Sequence, residues 1–507
     1  MSKVNCALLG VCAVLGFDAG APVPSGASPW ASAMSELQEA TSAAPSCTAL
    51  LDGLRAKVIA NYAGYLLEVT GPRREEHDRV VGQLRSLAGI VDRHGCLSLL
   101  RSYVEWFDDP HLFLYQSAEL EVEETARRRA TLERLAVDEA TPPAATASDP
   151  LEGVWADGGI RMRVAPDPDP DSPPGSFVAV VTSTDSENLT VGAVRARFRR
   201  GEDGVYTAVL RSRSLAETVM RATIHRGSIL RISPGMWGKI GPIPPAMERM
   251  IDPTDPRTPT LTVRDESVIV SVPSDDPRVR PVLDSLVAAN RSALAGARWL
   301  IVDLRGNEGG GARTTDALLP FLVDRDASLR ASGLEDAVML SSPDQIWYAS
   351  RAFGPPDGEF VTRLVEALER APGDLVPLLD PSEPVGPSPA IEPVYGPERA
   401  AILTDRGTVS AAEVLVREAG RSDRTIVIGS PTAGALDYQS TYIVRFHDDE
   451  DAWLLGYPTI AAHGDLPEGG IRGRGIPPEV PVDWDTIPDP FAFAEQVLRT
   501  ADRGPGS

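Results

Sequence analysis

The chain has 507 residues, 42% hydrophobic and 24% charged, with 72 acidic against 49 basic side chains and a formal net charge of −23. At ~100–200 residues per domain the length predicts about three domains, and the composition excludes general disorder, a coiled coil and a collagen-like repeat. A surface this negative repels phosphate backbones and anionic lipid, which argues against nucleic-acid binding.

Lys3, the apolar stretch Val4 to Phe17 and the small-x-small run Ala19-Gly20-Ala21 read as a secretory signal peptide over 1–21, so a periplasmic or extracellular location is expected. Val11 ahead of Cys12 argues against a lipid anchor. No stretch approaches ~18 uninterrupted apolar residues, so no membrane span is expected. Removal of the signal leaves Cys47 and Cys96. An even pair in an exported chain suggests one disulfide, with two independent buried thiols as the alternative. No Cys-x-x-Cys occurs, and neither a metal nor a cofactor is expected.

Residues 22–140 begin Pro/Ala/Ser-rich and then space apolar residues three and four apart, which predicts an N-terminal helical domain. TPPAATASDP (141–150) reads as a linker. Over 151–240 the period changes to two. IRMRV, SFVAVV, AVRARF, VYTAVLRS, ATIHR and SILRIS predict a small antiparallel barrel or curled sheet of about six strands. After a second Pro-rich connector, 257–500 alternates strand and helix: SVIVSVP, RPVLDSLVAANRSALA, ARWLIVDLRG, AAILTD, SAAEVLVREAGRS and TIVIGS. That alternation predicts an α/β layer on a mainly parallel sheet.

Three loops of this last part follow the carboxyl ends of buried strands, where catalytic groups usually sit. In VDLRGNEGGGARTTDALL, Gly309-Gly310-Gly311 can turn backbone N–H groups toward an anion, and no G-K-[ST] follows to make it a P-loop. A tight turn without a ligand is the plainer reading. In AAILTDRGTVSAAEVLV, Ser410 opens a helix, whose free N–H groups favour alkoxide and oxyanion charge. Ser410-x-x-Glu413 equally fits a capping box. The third loop is TIVIGSPTAGALDYQ, followed later by IRGRGIPPEVPVD.

Taken in order, the motifs at Asp303–Gly310, Thr408–Glu413, Gly429–Gly434 and Gly473–Glu479 resemble those of the tail-specific, or C-terminal-processing, serine protease family. The resemblance covers about 260–500. It implies a crotonase-like (ClpP-like) α/β core, Ser410 as nucleophile, and an oxyanion hole of backbone N–H groups from Gly309, Gly310 and Ala411. The processing branch places a lysine directly after Thr-Ala-Gly, but here Ala435 stands there. The chain's only lysines are Lys3, Lys57 and Lys239, none near a motif. The resemblance is therefore closer to the His-dependent, tricorn-like branch. His111, in EWFDDPHLFLY, resembles that branch's Asp-x-His segment and is the expected general base, with His463 as runner-up. Arg472 occupies the place of that branch's orienting glutamate. Asp437 is the expected substitute, or else simply a turn residue. Family members often carry a PDZ domain, yet 151–240 shows no carboxylate-binding loop.

The expected function is a secreted serine endopeptidase acting on proteins or peptides. A non-catalytic secreted binding protein of the same fold is the alternative. A coenzyme A-dependent enzyme is disfavoured by the signal peptide and the acidic surface.

Overall fold

The computed structural model describes residues 45–116, 122–136, 149–201, 204–232, 235–241, 255–323, 336–355, 357–379, 396–447, 453–462, 466 and 470–501. The signal peptide, most of the 141–150 linker and His463 lie outside the described residues. Among the described residues, no helix is long and apolar enough to cross a membrane.

The N-terminal helices are α1 (Cys47–Asn61), α2 (Ala63–Glu68), α3 (Gly71–Ala88) and α4 (Arg93–Glu105). A disulfide joins Cys47 to Cys96 across 49 residues, tying α1 to α4. Closing a loop of that length contributes about 4 kcal/mol by chain entropy. A short strand, β1 (Phe113–Gln116), follows inside the segment expected to be helical. Its four residues are too few to interrupt the helical spacing around them visibly.

Residues 149–241 form a closed antiparallel barrel of eight strands, not six. They are β2 (Gly153–Ala156), β3 (Ile160–Pro166), β4 (Ser176–Thr184), β5 (Val194–Arg200), β6 (Tyr206–Arg211), β7 (Glu217–His225), β8 (Ile229–Ile232) and β9 (Gly235–Gly241). The two strands the pattern missed, GVWA and GMWGKIG, are glycine-containing and lack polar/apolar alternation, and their mutual pairing closes the barrel. Trp155, Met162, Phe198, Tyr206 and Trp237 fill its interior.

The last part holds two sheets. One runs β10 (Thr260–Val263), β11 (Ser267–Ser271), β12 (Trp299–Asp303), β15 (Arg399–Thr404), β16 (Thr425–Gly429) and β19 (Val480–Pro481), parallel except for β10 at the edge. Successive residues alternate between its faces. Val268, Val270, Leu300, Val302 and Ile402 pack against α5 (Arg280–Ala289) and α6 (Ala411–Ala419). Ile269, Ile301, Leu403 and Ile428 pack against α7 (Pro490–Ala501). Burial on both faces explains why these strands read as unbroken apolar runs. The second sheet contains β13 (Val338–Leu340), β14 (Leu375–Pro377) and the hairpin β17 (Tyr438–His447)/β18 (Trp453–Ala461).

β1 joins this second sheet, pairing antiparallel with β18 from Phe113↔Gly456 to Gln116↔Trp453. The N-terminal helices also share one hydrophobic core with the hairpin: Leu51, Leu54, Tyr62, Leu100 and Phe107 pack with Tyr438, Trp453, Leu455 and Tyr457. The segment that carries His111 is thus fixed to the far end of the chain.

Candidate active site

Ser410 stands between β15 and α6 with φ 56° and ψ −115°. A serine in this left-handed region is strained by roughly 1–3 kcal/mol, so the surroundings must hold it there. Glu413 does so. Its buried carboxylate accepts from the Ser410 N–H at 2.8 Å, the Thr432 hydroxyl at 2.6 Å, and the N–H groups of Gly434 and Ala435 at 2.7 and 2.8 Å. Burial raises this carboxyl above its ordinary range against the pull of those four donors. The glutamate half of the expected capping box is therefore present, and it also binds the Thr-Ala-Gly turn behind the helix.

The Ser410 hydroxyl faces His111. Nε2 of His111 lies 3.0 Å from Ser410 Oγ, and Nδ1 lies 2.6 Å from the carbonyl oxygen of Tyr438. A carbonyl only accepts, so the neutral ring carries its proton on Nδ1 and presents the Nε2 lone pair to the serine O–H. Locally, His111 is set by the turn before β1. Asp108 takes φ 53°, Pro110 follows, and the His111 N–H donates to Asp109 Oδ1 at 2.8 Å. Asp109 is buried. Burial raises its carboxyl, and a proton gained by His111 works against that rise.

Asp437 does not orient the base. Both its carboxylate oxygens accept from the Ile471 N–H, at 3.1 and 3.0 Å, leaving the Tyr438 carbonyl on Nδ1. A backbone carbonyl has no sequence signature, so residue type alone could not reveal it. Arg472, in the place of the expected glutamate, forms a two-pronged ion pair with Glu68 of α2, and Glu68 also accepts from the Tyr438 hydroxyl at 2.5 Å. Burial alone would raise Glu68, but the bonds from Arg472 and Tyr438 hold it below the ordinary carboxylate range. The carboxylate thus reaches this corner from the N-terminal helices and braces the residue whose carbonyl holds His111.

The glycine turn lies directly against the nucleophile. A Cβ on Gly309 (φ 83°) would come within 2.9 Å of Ser410 Cβ and 3.0 Å of the Ala411 nitrogen. The Gly309 N–H, expected in the oxyanion hole, instead donates to Asn307 Oδ1 at 2.9 Å. Asp275 pairs with the turn on either side of Gly310, donating to the Gly309 carbonyl at 3.2 Å and accepting from Gly311 N–H at 2.7 Å. Gly310 N–H takes no part in that bridge. The donors left beside Ser410 are therefore the amides of Gly310 and Ala411.

Asp275 is itself fully buried, and both its carboxyl oxygens lack a geometric hydrogen-bond partner. Burial pushes this carboxyl up to about 7, with the Asn307 side chain pulling it down only in part. The folded chain therefore keeps a proton that the unfolded chain releases at about pH 4. Its contribution to stability is full below that pH and is lost as pH rises through about 7. Asp275→Asn, which mimics the protonated form, should raise the thermal midpoint at about pH 8 and change it little at about pH 4. Equal shifts at both pH values would contradict this.

Among the described residues, no group of three or more His, Cys, Asp or Glu is placed to hold a metal ion. His77 is buried among Tyr65, Tyr103, Trp106 and Phe107, and His447 rests beside Trp453 at the hairpin end. His225, read as a barrel-strand residue, meets Asp405 just before the nucleophile turn.

Residues 278–482 match the profile of peptidase family S41. No curated protein matches the chain. Among solved structures, mature CPAF complexed with lactacystin aligns at 13% identity over 90% of this chain and 98% of its own, with a TM-score of 0.46. The photosystem II D1 C-terminal processing protease aligns at 14% identity over 90% and 98%, with a TM-score of 0.35. Tricorn protease aligns at 11% identity over 90% of this chain and 36% of its own, with a TM-score of 0.36. The residue roles rest on the geometry above, not on these likenesses.

Proposed function

We propose, from the match of residues 278–482 to peptidase family S41, that this chain is an exported serine endopeptidase that works through an acyl-enzyme on Ser410. The observation that carries the reading is the His111–Ser410 contact of 3.0 Å together with the Nδ1–carbonyl bond that fixes the tautomer. Ser410 Oγ attacks the peptide carbonyl while His111 Nε2 takes the hydroxyl proton. The oxyanion is received by the Gly310 and Ala411 amides. Collapse of the tetrahedral adduct breaks the C–N bond, and His111 returns the proton to the leaving amine. A water then attacks the ester, gives its proton to His111, and releases the carboxylate product and free Ser410. The imidazolium formed twice in this cycle lies close to the buried Asp109. Every group in the cycle comes from the chain, and no cofactor is invoked.

We read the two-faced parallel sheet as a crotonase-like core, with the barrel as a unit with its own core and the N-terminal helices packed on the β17/β18 hairpin. Export is supported by the Cys47–Cys96 disulfide, which persists in an oxidising compartment. The barrel, unlike a PDZ domain, gives no reason to expect recognition of substrate C-termini.

The test is labelling of folded protein by a fluorophosphonate. Wild type is expected to be modified at Ser410, Ser410→Ala is expected to stay unmodified, and wild type alone is expected to cleave casein. Folded wild type that takes no label overturns the reading and favours a non-catalytic binding protein.

A further inference from the structure

The barrel has no role in the chemistry just given, yet its β7–β8 hairpin ends at the two turns that form the site. Arg226, at the hairpin tip with φ 57°, has a wholly buried side chain. Its Nε donates to the Arg305 carbonyl at 2.7 Å, Nη2 to the Asp303 carbonyl at 2.9 Å, and Nη1 to Ser271 Oγ at 2.5 Å. Arg231 on β8 donates to the Gly306 carbonyl from Nε and Nη2, at 3.0 and 2.6 Å, and from Nη2 to the Pro273 carbonyl at 2.9 Å. His225 Nδ1 meets Asp405 Oδ2 at 2.8 Å. The other oxygen of Asp405 accepts the N–H groups of Gly306 and Gly407, at 2.8 and 2.9 Å.

The chain leaves β12 at Asp303 and needs hydrogen-bond partners for the carbonyls that the sheet no longer satisfies. Two barrel arginines supply them for Arg305 and Gly306, just before Asn307 and the glycine turn, and add a second donor to the Asp303 carbonyl, which also accepts from Val272 N–H at 3.0 Å. Asp405, held by His225, ties the same stretch to Gly407, three residues ahead of Ser410. The hairpin therefore grips both halves of the oxyanion site from outside: the turn that carries Gly310 and the turn that carries Ala411. Buried guanidinium groups are a poor way to gain stability, since an apolar contact of the same area costs no charge desolvation. Their fixed fork of donors does hold several carbonyls in one geometry.

We propose that the β7–β8 hairpin of the barrel is a positioning element of the oxyanion site, with Arg226, Arg231 and His225 as positioning residues. The rate of the chemical step then depends on the barrel, while substrate affinity does not. This rests on Ser410 being the nucleophile.

The test uses the full chain. Arg231→Met, Arg231→Lys, His225→Gln and, as control, Arg213→Ala in the exposed β6–β7 turn at the barrel's other end are compared with wild type. The readouts are the rate of Ser410 labelling by a fluorophosphonate, kcat and KM on a fluorescent casein, and the thermal midpoint. Losing alignment of oxyanion donors should slow labelling and kcat by ~10–100-fold in Arg231→Met with KM unchanged. Arg231→Lys should recover part of the loss, and Arg213→Ala should match wild type. Folded Arg231→Met with wild-type labelling overturns the proposal, as does a raised KM at constant kcat, which would make the barrel a substrate-binding module. Should Arg231→Met not fold, His225→Gln leaves both guanidinium groups in place and carries the test, and a wild-type rate there overturns it equally. Absence of label on wild type itself would instead defeat the nucleophile assignment, so the two failures are distinguishable.

Discussion

His111→Ala is expected to lower kcat on casein or a peptide substrate by a factor on the order of 10⁴–10⁶ while leaving KM within a few-fold. A serine hydroxyl near neutral pH is a weak nucleophile until a base takes its proton. Among the described residues, His111 Nε2 is the nitrogen base in hydrogen-bond reach of Ser410 Oγ, at 3.0 Å. Alanine removes the proton acceptor and the later proton donor together, so both acylation and deacylation slow. The contacts that hold Ser410 do not involve the imidazole: Glu413 still binds the Ser410 N–H and the Thr432–Ala435 turn. The fold of the nucleophile turn should therefore persist, and the loss should sit in kcat. His463→Ala, run beside it, should keep wild-type turnover. Activity that survives His111→Ala and disappears in His463→Ala would move the base to His463 and break the mechanism.

The nearness of Ser410 to His111 was legible through the motif resemblance rather than from the residues taken singly. The resemblance of the four ordered motifs implies Ser410 as nucleophile, the missing lysine after Thr-Ala-Gly turns that resemblance away from the Ser–Lys branch, and His111 stands in a segment resembling the other branch's Asp-x-His. What brings the two together was not legible. It depends on β1, four residues hidden in a helical pattern, adding to the edge of β18 more than 300 positions away. The orienting group escaped for another reason. The acceptor is the Tyr438 carbonyl, which any residue could supply, so attention to side chains selected its neighbour Asp437. Arg472 looked like a lost glutamate, yet Glu68 from α2 brings a carboxylate to the same corner across 404 residues of sequence. The parallel sheet was readable from its apolar strands, since burial on both faces leaves no other composition. The barrel was undercounted where glycine replaced alternation, and its contact with the site rests on three side chains whose partners across that contact lie at the ends of β11 and β12 and in the loops that follow β11, β12 and β15.

The glycine run shows the same limit and gives the second large effect. Three consecutive glycines offer three N–H groups, and which of them is free depends on what takes the others. Asn307 Oδ1 takes Gly309, and the Asp275 carbonyl takes Gly311. Gly310 remains, with φ 143°, a conformation that L side chains rarely adopt. A Cβ there would stand 2.3 Å from the Asp275 oxygen, 2.5 Å from its carbonyl carbon and 2.8 Å from the Asp276 nitrogen. All three are backbone atoms, so no side chain can swing aside, and the turn itself must move. Gly310→Ala should therefore withdraw one oxyanion donor and lower kcat by roughly 10²–10³-fold, with KM little changed because the substrate's other contacts are untouched. Fluorophosphonate labelling of Ser410 should slow in parallel, since the tetrahedral phosphonyl adduct uses the same two amides. Gly82→Ala provides the contrast: it lies within α3 with nothing within 4 Å of the added carbon, and its turnover should equal wild type. A folded Gly310→Ala protein with undiminished kcat would show that the oxyanion is held elsewhere, and would return Gly309 or a group outside this turn to consideration.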